Sequence, residues 1–436
     1  MRQGKLFEHE DLFERLCSKE ELLKGFKAVK KNKGAPGIDG VTIRNFTADV
    51  DKEIEQLMEE LRSWNYEPKP VRRVIIPKPN GKGDRQLGIP CVRDRVVQAT
   101  IKNLIEPLLE PHFSSNSYGF RPGRSQRQAV EAAQKIVQSG KGYIVDIDLA
   151  KFFDRIQHDR LMARLRKHVP SKPIRCLIGK MLRSGIMVGG LVKPTTEGAV
   201  QGGPLSPLLS NLVLDELDKE LERRGLEFCR YADDCNIFVR TRKAADRIMG
   251  SITTFIEKKL KLKVNNEKSK TGPSHKVKFL GMTIIKKTIA ISKDALAQAM
   301  QKVKELTPRG THLTLEETIK KINQWYLGWS IYFMMTQYPA QLKKIEAHIR
   351  RRLRRRIISQ HKRKRFLFRK LCQRGVNKGS VARTVYGNRK WWALSHTQAT
   401  EKAYPNKWFI ESLGQHICSD QEKSHWFDER VWIALT

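Results

Sequence analysis

The sequence has few cysteines, and it lacks the patterns in which cysteines usually carry structure or chemistry. Seven cysteines occur in 436 residues, and none of them forms a CxxC pair. This excludes a zinc ribbon and a thioredoxin-like motif, and it favours reduced cysteines in a cytosolic protein. The N-terminal segment has no apolar signal-peptide core, and no stretch of 18 apolar residues occurs. We therefore expect a soluble, cytoplasmic chain without a membrane span.

Acidic residues are scarce relative to basic ones. The chain has 84 Lys and Arg against 46 Asp and Glu, a formal net charge of +38. Such an excess attracts a polyanion, and it favours nucleic acid over an anionic membrane surface. The sequence also lacks internal repeats and Gly/Ser-rich linkers. Its length and its hydrophobic fraction of 39% predict two to four globular domains.

Helical and strand-like patterns alternate in the first two thirds of the chain. The segment "VRRVIIPKPNGKGDRQLGIP" (71–90) predicts a hairpin around a Gly- and Asn-rich loop. Short strands are predicted at the start of 143–156 and around 231–239 and 278–285. From Asp294 onward the pattern is almost wholly helical. The fold class is therefore predicted to be α+β.

Basic residues are densest between Lys343 and Lys370, where fourteen Lys and Arg accompany one acid. A solvated basic arm or a localisation signal would have this composition. However, Ile349, Leu353 and Ile357 recur at intervals of four residues and would form an apolar stripe. We therefore predict a folded basic helix.

Two adjacent aspartates, Asp233 and Asp234, interrupt the apolar segment "RYADDCNIFVR". On a straight strand, neighbouring side chains point to opposite faces, so both could reach one site only from a turn between two strands. Asp is also common in turns for local hydrogen-bonding reasons, which leaves a purely structural reading open.

A second set of carboxylates lies in "YIVDIDLAKFFD", which carries Asp146, Asp148 and Asp154. Asp148 stands where a predicted buried strand ends, a position from which a side chain can project into a cleft. These residues could instead be surface carboxylates on an edge strand. Carboxylates from two strands without nearby His or Cys suit Mg²⁺, and two such ions would clamp a phosphoryl transfer.

Positive partners for a triphosphate are available on the predicted hairpin. Lys78 and Arg85 lie on its opposite arms, and Arg72 and Arg73 lie on the entering strand. An ammonium and a guanidinium from one mobile hairpin can close over a triphosphate, although a solvated basic hairpin is an equal alternative.

The segment "QGGPLSP" (201–207) is a second candidate for substrate contact. Its glycines would allow close backbone approach to a base pair, and Gln201 offers an amide for positioning. Alternatively, Ser206 and Pro207 suit the N-cap and first position of an ordinary helix.

Taken in order, these segments resemble reverse transcriptases, and most closely the group II intron-encoded reverse transcriptase/maturase family of bacterial, endonuclease-lacking type. The resemblance runs through nearly the whole chain in collinear order. The matching segments are "NKGAPGIDGVT", "PKPNGKGDRQLGIP", "NSYGFRPGRS", "DIDLAKFFDRIQHDRL", "VQGGPLSPLLSNL", "RYADD", "LKVNNEKSK", "KFLGMTI" and, in the maturase thumb, "INQWYLGWSIYF".

The resemblance implies a role for each matching residue. Asp148, Asp233 and Asp234 would be catalytic and would bind two Mg²⁺ ions, with Asp234 as the accessory ligand. Phe153 would be the bulky residue that excludes a ribonucleotide 2′-hydroxyl, although a core aromatic is the alternative. The remaining dNTP and template contacts would be Lys78, Arg85, Arg73, Gln201 and Gly202. The nucleic-acid-binding residues of the basic segment would be Arg350, Arg351, Arg354, Arg355, Lys362 and Arg363.

The implied architecture is a right-hand polymerase with fingers, an antiparallel-sheet palm and a helical thumb. The N-terminal extension and fingers would occupy 1–140, the palm 141–292, the thumb or maturase domain X 293–358, and a basic helical nucleic-acid-binding segment 359–436. For the thumb residues Trp325 and Trp329, at i and i+4, a place in a helical core is favoured over base stacking.

The implied function is RNA-directed DNA polymerisation, with binding of intron RNA as a maturase for splicing and retrohoming. Expected partners are group II intron RNA, an RNA template with a DNA primer or target DNA, and dNTPs. Cys372 and Cys418 stand alone, so the paired CxxC motifs of an HNH endonuclease are not present. Two alternatives are a domesticated relative in DNA repair or phage defence, and a splicing factor acting mainly by RNA binding.

Overall fold

The computed structural model describes residues 12–77, 84–188, 191–193, 197–308, 310–361 and 363–411, and only the backbone of Arg85. Within it the chain divides into two compact units, residues 1–277 and 278–436. The boundary falls inside the range expected for the palm, 141–292. Lys78 and Lys362 lie outside the described residues.

The first unit begins with helices and a hairpin. Helices α1 (Lys19–Lys31), α2 (Ile43–Ala48) and α3 (Val50–Arg62) precede strands β1 (Val71–Pro77) and β2 (Asp84–Ile89). The two strands pair antiparallel, which confirms the predicted hairpin. Two short strands, β4 (Ile186–Val188) and β5 (Leu191–Lys193), extend this sheet in the order β2-β1-β4-β5.

A second sheet in the first unit has the order β6-β7-β3-β8. Its strands are β3 (Tyr143–Ile147), β6 (Glu227–Tyr231), β7 (Asp234–Val239) and β8 (Lys270–Pro273). All three pairings are antiparallel. The centre of this sheet is apolar, because Ile144, Val145 and Ile237 are buried. The predicted buried strand that leads to Asp148 is therefore confirmed.

Further helices of the first unit share one apolar core with this second sheet. They are α4 (Val92–Leu109), α6 (His158–His168), α7 (Lys172–Arg183), α8 (Ser206–Arg223) and α9 (Arg242–Phe255), and the unit also contains α5 (Gln126–Gln138). Helix α5 starts at a capping box in which Ser125 and Gln128 satisfy each other's backbone N–H groups. Helix α8 is buried along most of its length, so it forms a central support of the unit.

The second unit opens with a two-stranded hairpin, β9 (Met282–Ile285) and β10 (Thr288–Ile291), and is otherwise helical. Its helices are α10 (Lys293–Leu306), α11 (Leu315–Phe333), α12 (Pro339–Ser359), α13 (Lys364–Gln373), α14 (Lys378–Tyr386), α15 (Trp391–Leu394), α16 (Gln398–Ala403) and α17 (Asn406–Glu411). This distribution of strands and helices confirms the α+β class.

Helix α12 confirms the predicted folded basic helix. Ile349 and Leu353 are fully buried and Ile357 is 7% exposed, so the apolar stripe packs into the core of the second unit. Trp325 and Trp329 on α11 also pack against that core, with ring centroids 6.0 Å apart, as the sequence favoured. No helix in the described part of the chain combines the length and apolar character that a membrane crossing requires.

Candidate active site

The two adjacent aspartates occupy different places at a tight turn. Tyr231 pairs with Asp234, so a loop of only Ala232 and Asp233 joins β6 to β7. Ala232 has φ +56°, the left-handed conformation that such short hairpin loops use. Asp233 therefore lies at the tip of the hairpin, and Asp234 is the first, exposed residue of β7. The predicted hairpin turn is confirmed.

Asp148 lies beside this turn because β3 is the neighbour of β7. The register pairs Ile147 with Cys235, and continuing it by one residue places Asp148 opposite Asp234. Residues directly opposite in an antiparallel pair have Cα atoms about 5 Å apart. The sheet thus brings Asp148 beside the turn that carries the adjacent pair Asp233 and Asp234, far along the chain.

The backbone of Asp148 is fixed on its other side by the segment 265–269. The Asp148 N–H donates to Ser269 Oγ at 3.0 Å, and the Asn265 N–H donates to the Asp148 carbonyl at 2.8 Å. Lys268 Nζ lies 3.8 Å from Asp148 Oδ2. Lys268 belongs to the quoted "LKVNNEKSK" segment, but sequence reasoning did not single it out.

A cleft of about 560 Å³ lies between the first sheet and the loop before α8. Its lining includes Arg73 and Gln201, two residues that the sequence predicts to contact the dNTP or the template. It also includes Lys151, Asp154 and Arg155, which follow Asp148 in the chain. The cleft is thus lined by three cationic side chains and by two acidic ones, Asp154 and Glu197, and it lies next to the segment that carries Asp148.

Close backbone packing joins the loop before α8 to β2. The Gly88 N–H donates to the Gln201 carbonyl at 2.9 Å. Gly202 has φ +127°, and a Cβ atom there would stand 2.6 Å from the Gly88 carbonyl oxygen. Glycine is therefore required at Gly202 by its conformation and by the contact. The sequence offered Ser206 as an N-cap, but α8 begins at Ser206 itself and its N-cap is Leu205. The Ser206 hydroxyl instead donates to the Val200 carbonyl.

Phe153 is partly buried at the edge of the core of the first unit. Its ring meets that of Phe152 edge to face, with centroids 5.3 Å apart. Its carbonyl accepts from the Ala199 N–H at 2.8 Å, which ties it to the wall of the cleft. Its role against the 2′-hydroxyl stays a prediction, as does the triphosphate role of Lys78 and Arg85, whose side chains are not among the described atoms.

The predicted nucleic-acid-binding residues of the second unit fall into two groups. Arg350 and Arg354 are 7% and 6% exposed, and Arg354 donates to the Tyr404 carbonyl at 2.8 Å. Arg351 and Arg355 are partly exposed, and Arg363 is exposed. Arg354 is therefore placed to stabilise the second unit through contacts inside it. Arg363 and its neighbours are accessible to a ligand.

Thiol chemistry is not available beside the turn. Burial raises the pKa of Cys229 to about 12, and burial also raises the pKa of Cys235. Thiols with such pKa values stay protonated and unreactive. The carboxylates are therefore the groups at this turn that can act chemically.

The donor set at the turn suits a hard divalent cation. Asp148, Asp233 and Asp234 offer only carboxylate oxygens, and Mg²⁺ commonly uses one or two carboxylates together with substrate phosphates and water. Within the described residues, no group of three or more His, Cys, Asp and Glu side chains is arranged to hold a metal ion by itself. The fit of the three residues to a metal therefore rests on the chemistry of their carboxylate oxygens and not on a preformed set of ligands.

Comparison with known proteins identifies the family. Residues 76–284 match the family described as reverse transcriptase (RNA-dependent DNA polymerase), and residues 296–375 match the group II intron, maturase-specific domain. Protein YkfC of Escherichia coli K12 is 34% identical over 309 residues, which cover 62% of this chain and 81% of that protein. The chain belongs to the group II intron reverse transcriptase/maturase family.

Other relatives of this group II intron reverse transcriptase/maturase align over shorter spans. Group II intron-encoded protein LtrA of Lactococcus lactis subsp. cremoris is 34% identical over 207 residues, 47% of this chain and 34% of that protein. The putative COX1/OXI3 intron 2 protein of Saccharomyces cerevisiae is 32% identical over 206 residues, 47% of this chain and 24% of that protein. The chain thus spans about a third or less of these two relatives.

Among solved structures, a chain of a partial Cas6-RT-Cas1–Cas2 complex is 22% identical, with a TM-score of 0.37 over 56% of this chain and 42% of that one. The family match confirms the expected α+β right-hand polymerase class and the enzyme class, RNA-directed DNA polymerase. The family uses divalent metal ions, and its two domains act on RNA and nucleic acid templates.

Proposed function

We propose that this reverse transcriptase extends a DNA primer on an RNA template at Asp148, Asp233 and Asp234, with two Mg²⁺ ions and dNTPs. The observation that carries the proposal is the β3–β7 register, which brings Asp148 opposite Asp234 and next to the tip that bears Asp233. Bound metal would supply charge stabilisation for the reacting phosphate and would lower the pKa of the primer hydroxyl.

The residues of the cleft would bind and orient the incoming nucleotide. Arg73 and Lys151 offer positive charge to its triphosphate, and the Gln201 amide can position its base or the template. A bond then forms between the primer 3′ oxygen and the α-phosphorus, and the bond from that phosphorus to pyrophosphate breaks. Lys78 and Arg85 would add to the triphosphate site from the hairpin that contains β1 and β2.

The binding of structured intron RNA is assigned to the second unit. Arg363, Arg369 and Lys370 line a cleft of about 490 Å³ together with Phe366, whose ring is 42% exposed. The guanidinium of Arg365 lies 5.1 Å from the centroid of that ring. Exposed aromatic rings between cations are typical of surfaces on which nucleic acid bases stack. We propose that this surface, with Arg351 and Arg355, contacts RNA.

The domain ranges belong to the same proposal. Residues 1–140 would serve as N-terminal extension and fingers, 141–292 as palm, 293–358 as thumb, and 359–436 as the basic segment. The matches to 76–284 and 296–375 support this order. The reaction would take place in the cytoplasm, with group II intron RNA and target DNA as partners for splicing and retrohoming.

The proposal is tested by replacing Asp233 with Asn. We expect Asp233→Asn to abolish Mg²⁺-dependent extension of a DNA primer on an RNA template. Binding of the same duplex, measured by fluorescence anisotropy, should change less than about threefold, since the phosphate contacts lie elsewhere. Asp159→Asn, on the exposed surface of α6, is the matched control and should extend normally. Normal extension by Asp233→Asn would refute the assignment.

The maturase half needs a separate measurement. A group II intron transcript should splice faster with the protein than without it, and Asp233→Asn should retain this effect because splicing needs RNA binding and not polymerisation. Equal splicing rates with and without the wild-type protein, for every group II intron tried, would contradict the maturase role.

A further inference from the structure

Arg230 is the largest fully buried side chain in the described part of the protein, and it directly precedes the catalytic turn. It lies on β6 with 0% exposure, between the buried Cys229 and the turn residues. A buried guanidinium is costly unless it is paired and its N–H groups are satisfied. Its partners therefore indicate what the charge is used for.

One side of the guanidinium is paired with Asp218 on α8. Arg230 Nε and Nη2 donate to the two carboxylate oxygens at 2.7 and 2.6 Å, and both side chains are fully buried. Such a bidentate pair fixes the plane of the guanidinium. Its contribution to stability is not a sufficient reason for its presence, because well-packed apolar residues often replace a buried ion pair without loss.

The third guanidinium nitrogen, Nη1, reaches the turn itself. Arg230 Nη1 donates to the carbonyl of Ala232 at 2.8 Å and to Asn211 Oδ1 at 3.0 Å. Asn211 Nδ2 in turn donates to the carbonyl of Gly119 at 2.8 Å. The guanidinium therefore joins α8 to the first residue of the two-residue loop, the residue whose left-handed conformation sets the direction of Asp233.

We propose that Arg230 is a positioning residue, which fixes the Ala232–Asp233 turn through the Ala232 carbonyl while Asp218 and Asn211 hold Arg230. This inference rests on the proposed function, because it gives Asp233 the role of a metal ligand. An apolar pair could join α8 to β6 equally well, but it could not supply a hydrogen bond to a specific carbonyl.

The test replaces the ion pair by apolar residues of similar volume, Arg230→Met together with Asp218→Leu. We expect the folded protein to persist, with a thermal unfolding midpoint close to that of the wild type. We expect faster amide hydrogen exchange at residues 231–235. Binding of Mn²⁺ to the full chain with a dideoxy-terminated primer–template and dNTP, measured by electron paramagnetic resonance, should weaken about 10- to 100-fold. The kcat for primer extension should fall by a similar factor, with a KM for dNTP near that of the wild type.

The matched control is Arg164→Met with Glu216→Leu. Arg164 donates to the Val213 carbonyl of α8 at 2.7 Å and forms a partly exposed ion pair with Glu216, so this control removes an arginine–carboxylate pair from the same helix away from the turn. It should leave Mn²⁺ binding and hydrogen exchange at residues 231–235 unchanged. Equal effects of the two double variants would show a general effect on α8 and would overturn the inference.

A second variant keeps the inference testable if the apolar pair does not fold. Arg230→Lys retains a charge for Asp218, but an ammonium lacks the fixed fork that reaches Asp218 and Ala232 together. It should weaken Mn²⁺ binding by less than the double variant does. Wild-type Mn²⁺ affinity and wild-type exchange at residues 231–235 in either folded variant would refute the inference. If the wild-type protein itself failed to extend a primer, the proposed function would fail, while the Mn²⁺ and exchange measurements would still judge Arg230.

Discussion

Gly119 lies so close to Ala232 that a Cβ atom on Gly119 would stand 2.3 Å from the Ala232 nitrogen. The segment "NSYGFRPGRS" is therefore in backbone contact with the Ala232–Asp233 turn. Two hydrogen bonds beside this contact, from Tyr118 N–H to the Arg230 carbonyl at 2.8 Å and from Arg230 N–H to the Asn116 carbonyl at 2.9 Å, tie the same segment to β6. The turn is held from two sides, by this segment and by Arg230.

Replacing Gly119 by Ala should displace the turn. Because the new methyl group meets backbone atoms, which cannot rotate away, we expect a loss of about 1 to 3 kcal/mol in the free energy of unfolding. We also expect at least a tenfold lower kcat for primer extension, since the displaced residue precedes Asp233. Chemical denaturation and steady-state primer extension measure the two effects.

Gly142→Ala is the control for this substitution. No atom lies within 4 Å of a Cβ at Gly142, so neither stability nor activity should fall. If Gly119→Ala behaved like Gly142→Ala, the close contact at the turn would have no functional consequence.

Phe153→Ala should relax discrimination against ribonucleotides. Phe153 is partly buried, and its carbonyl is bonded to Ala199, which lines the cleft. Removing the ring would open space for a 2′-hydroxyl, and we expect the ratio of kcat/KM for dNTP to that for rNTP to fall about tenfold or more. The ratio is measured on a primer–template that needs a single nucleotide.

Phe152→Ala is the control that distinguishes a residue excluding the 2′-hydroxyl from a residue of the apolar core. Phe152 is 3% exposed, and its replacement should lower stability by about 3 to 5 kcal/mol without changing the discrimination ratio of the protein that remains folded. An unchanged ratio in Phe153→Ala would assign that ring to the core as well.

Asp94 should make the free energy of unfolding larger at acidic pH than at neutral pH. Burial raises the pKa of its carboxyl from 3.8 to about 6, although hydrogen bonds from the Tyr66 hydroxyl and the Lys69 N–H lower it. The folded state thus binds the proton more tightly than the unfolded state. The associated stability is fully present below about pH 4 and is lost as the pH rises through about 6.

We expect the Asp94 contribution to the free energy of unfolding to be about 1 kcal/mol larger at pH 5 than at pH 7. Urea unfolding of the wild type and of Asp94→Asn at both values measures it, because the variant has no carboxyl to titrate. A stability difference between the two proteins that does not change with pH would contradict the assignment.

The exposed cations of the second unit should account for part of the salt dependence of RNA binding. Arg363 and Arg369 line the same cleft. Replacing both by Gln should reduce the slope of log K against log salt by about 0.7 for each RNA phosphate that the protein no longer neutralises. Binding of the intron RNA at a series of salt concentrations gives the slope.

Arg354→Gln is the comparison within the same unit. The Arg354 guanidinium donates to Tyr404 and Asn406 and is 6% exposed, so this change should lower the thermal unfolding midpoint and leave the salt slope unaltered. A larger slope change for Arg354→Gln than for the Arg363 and Arg369 pair would reverse the assignment of the binding surface.

Sequence patterns predicted several parts of the fold and the site because each of those parts depends on local preferences. The hairpin of β1 and β2 follows from two strand-like runs around a Gly- and Asn-rich loop, and the turn at Asp233 follows from two apolar runs that flank polar residues. The folded helix α12 was predicted from the spacing of Ile349, Leu353 and Ile357. The burial of Arg350 and Arg354 could not be predicted this way, because both lie in a run of arginines whose other members are more exposed.

The network around Arg230 was also beyond sequence reasoning, although one signal was present. A single arginine within the apolar run "EFCRYA" indicates either a surface position or a paired buried charge, and nothing local decides between them. Its partners Asp218 and Asn211 are 12 and 19 positions away on one helix, and Gly119, whose carbonyl accepts from Asn211, lies in a still more distant segment.

The sequence by itself determined the chemistry of this protein: its charge, its carboxylates, its glycine-rich loops and the order of segments by which its family is identified. These depend on residue types and on spacing along the chain. Only the tertiary structure decided which groups act together. The β3–β7 register brings Asp148 to Asp234, burial sets Arg354 apart from Arg363, and Arg230 donates to the Ala232 carbonyl of the two-residue loop. Contacts between distant segments follow from how a particular core packs, and local sequence preferences carry no record of that packing.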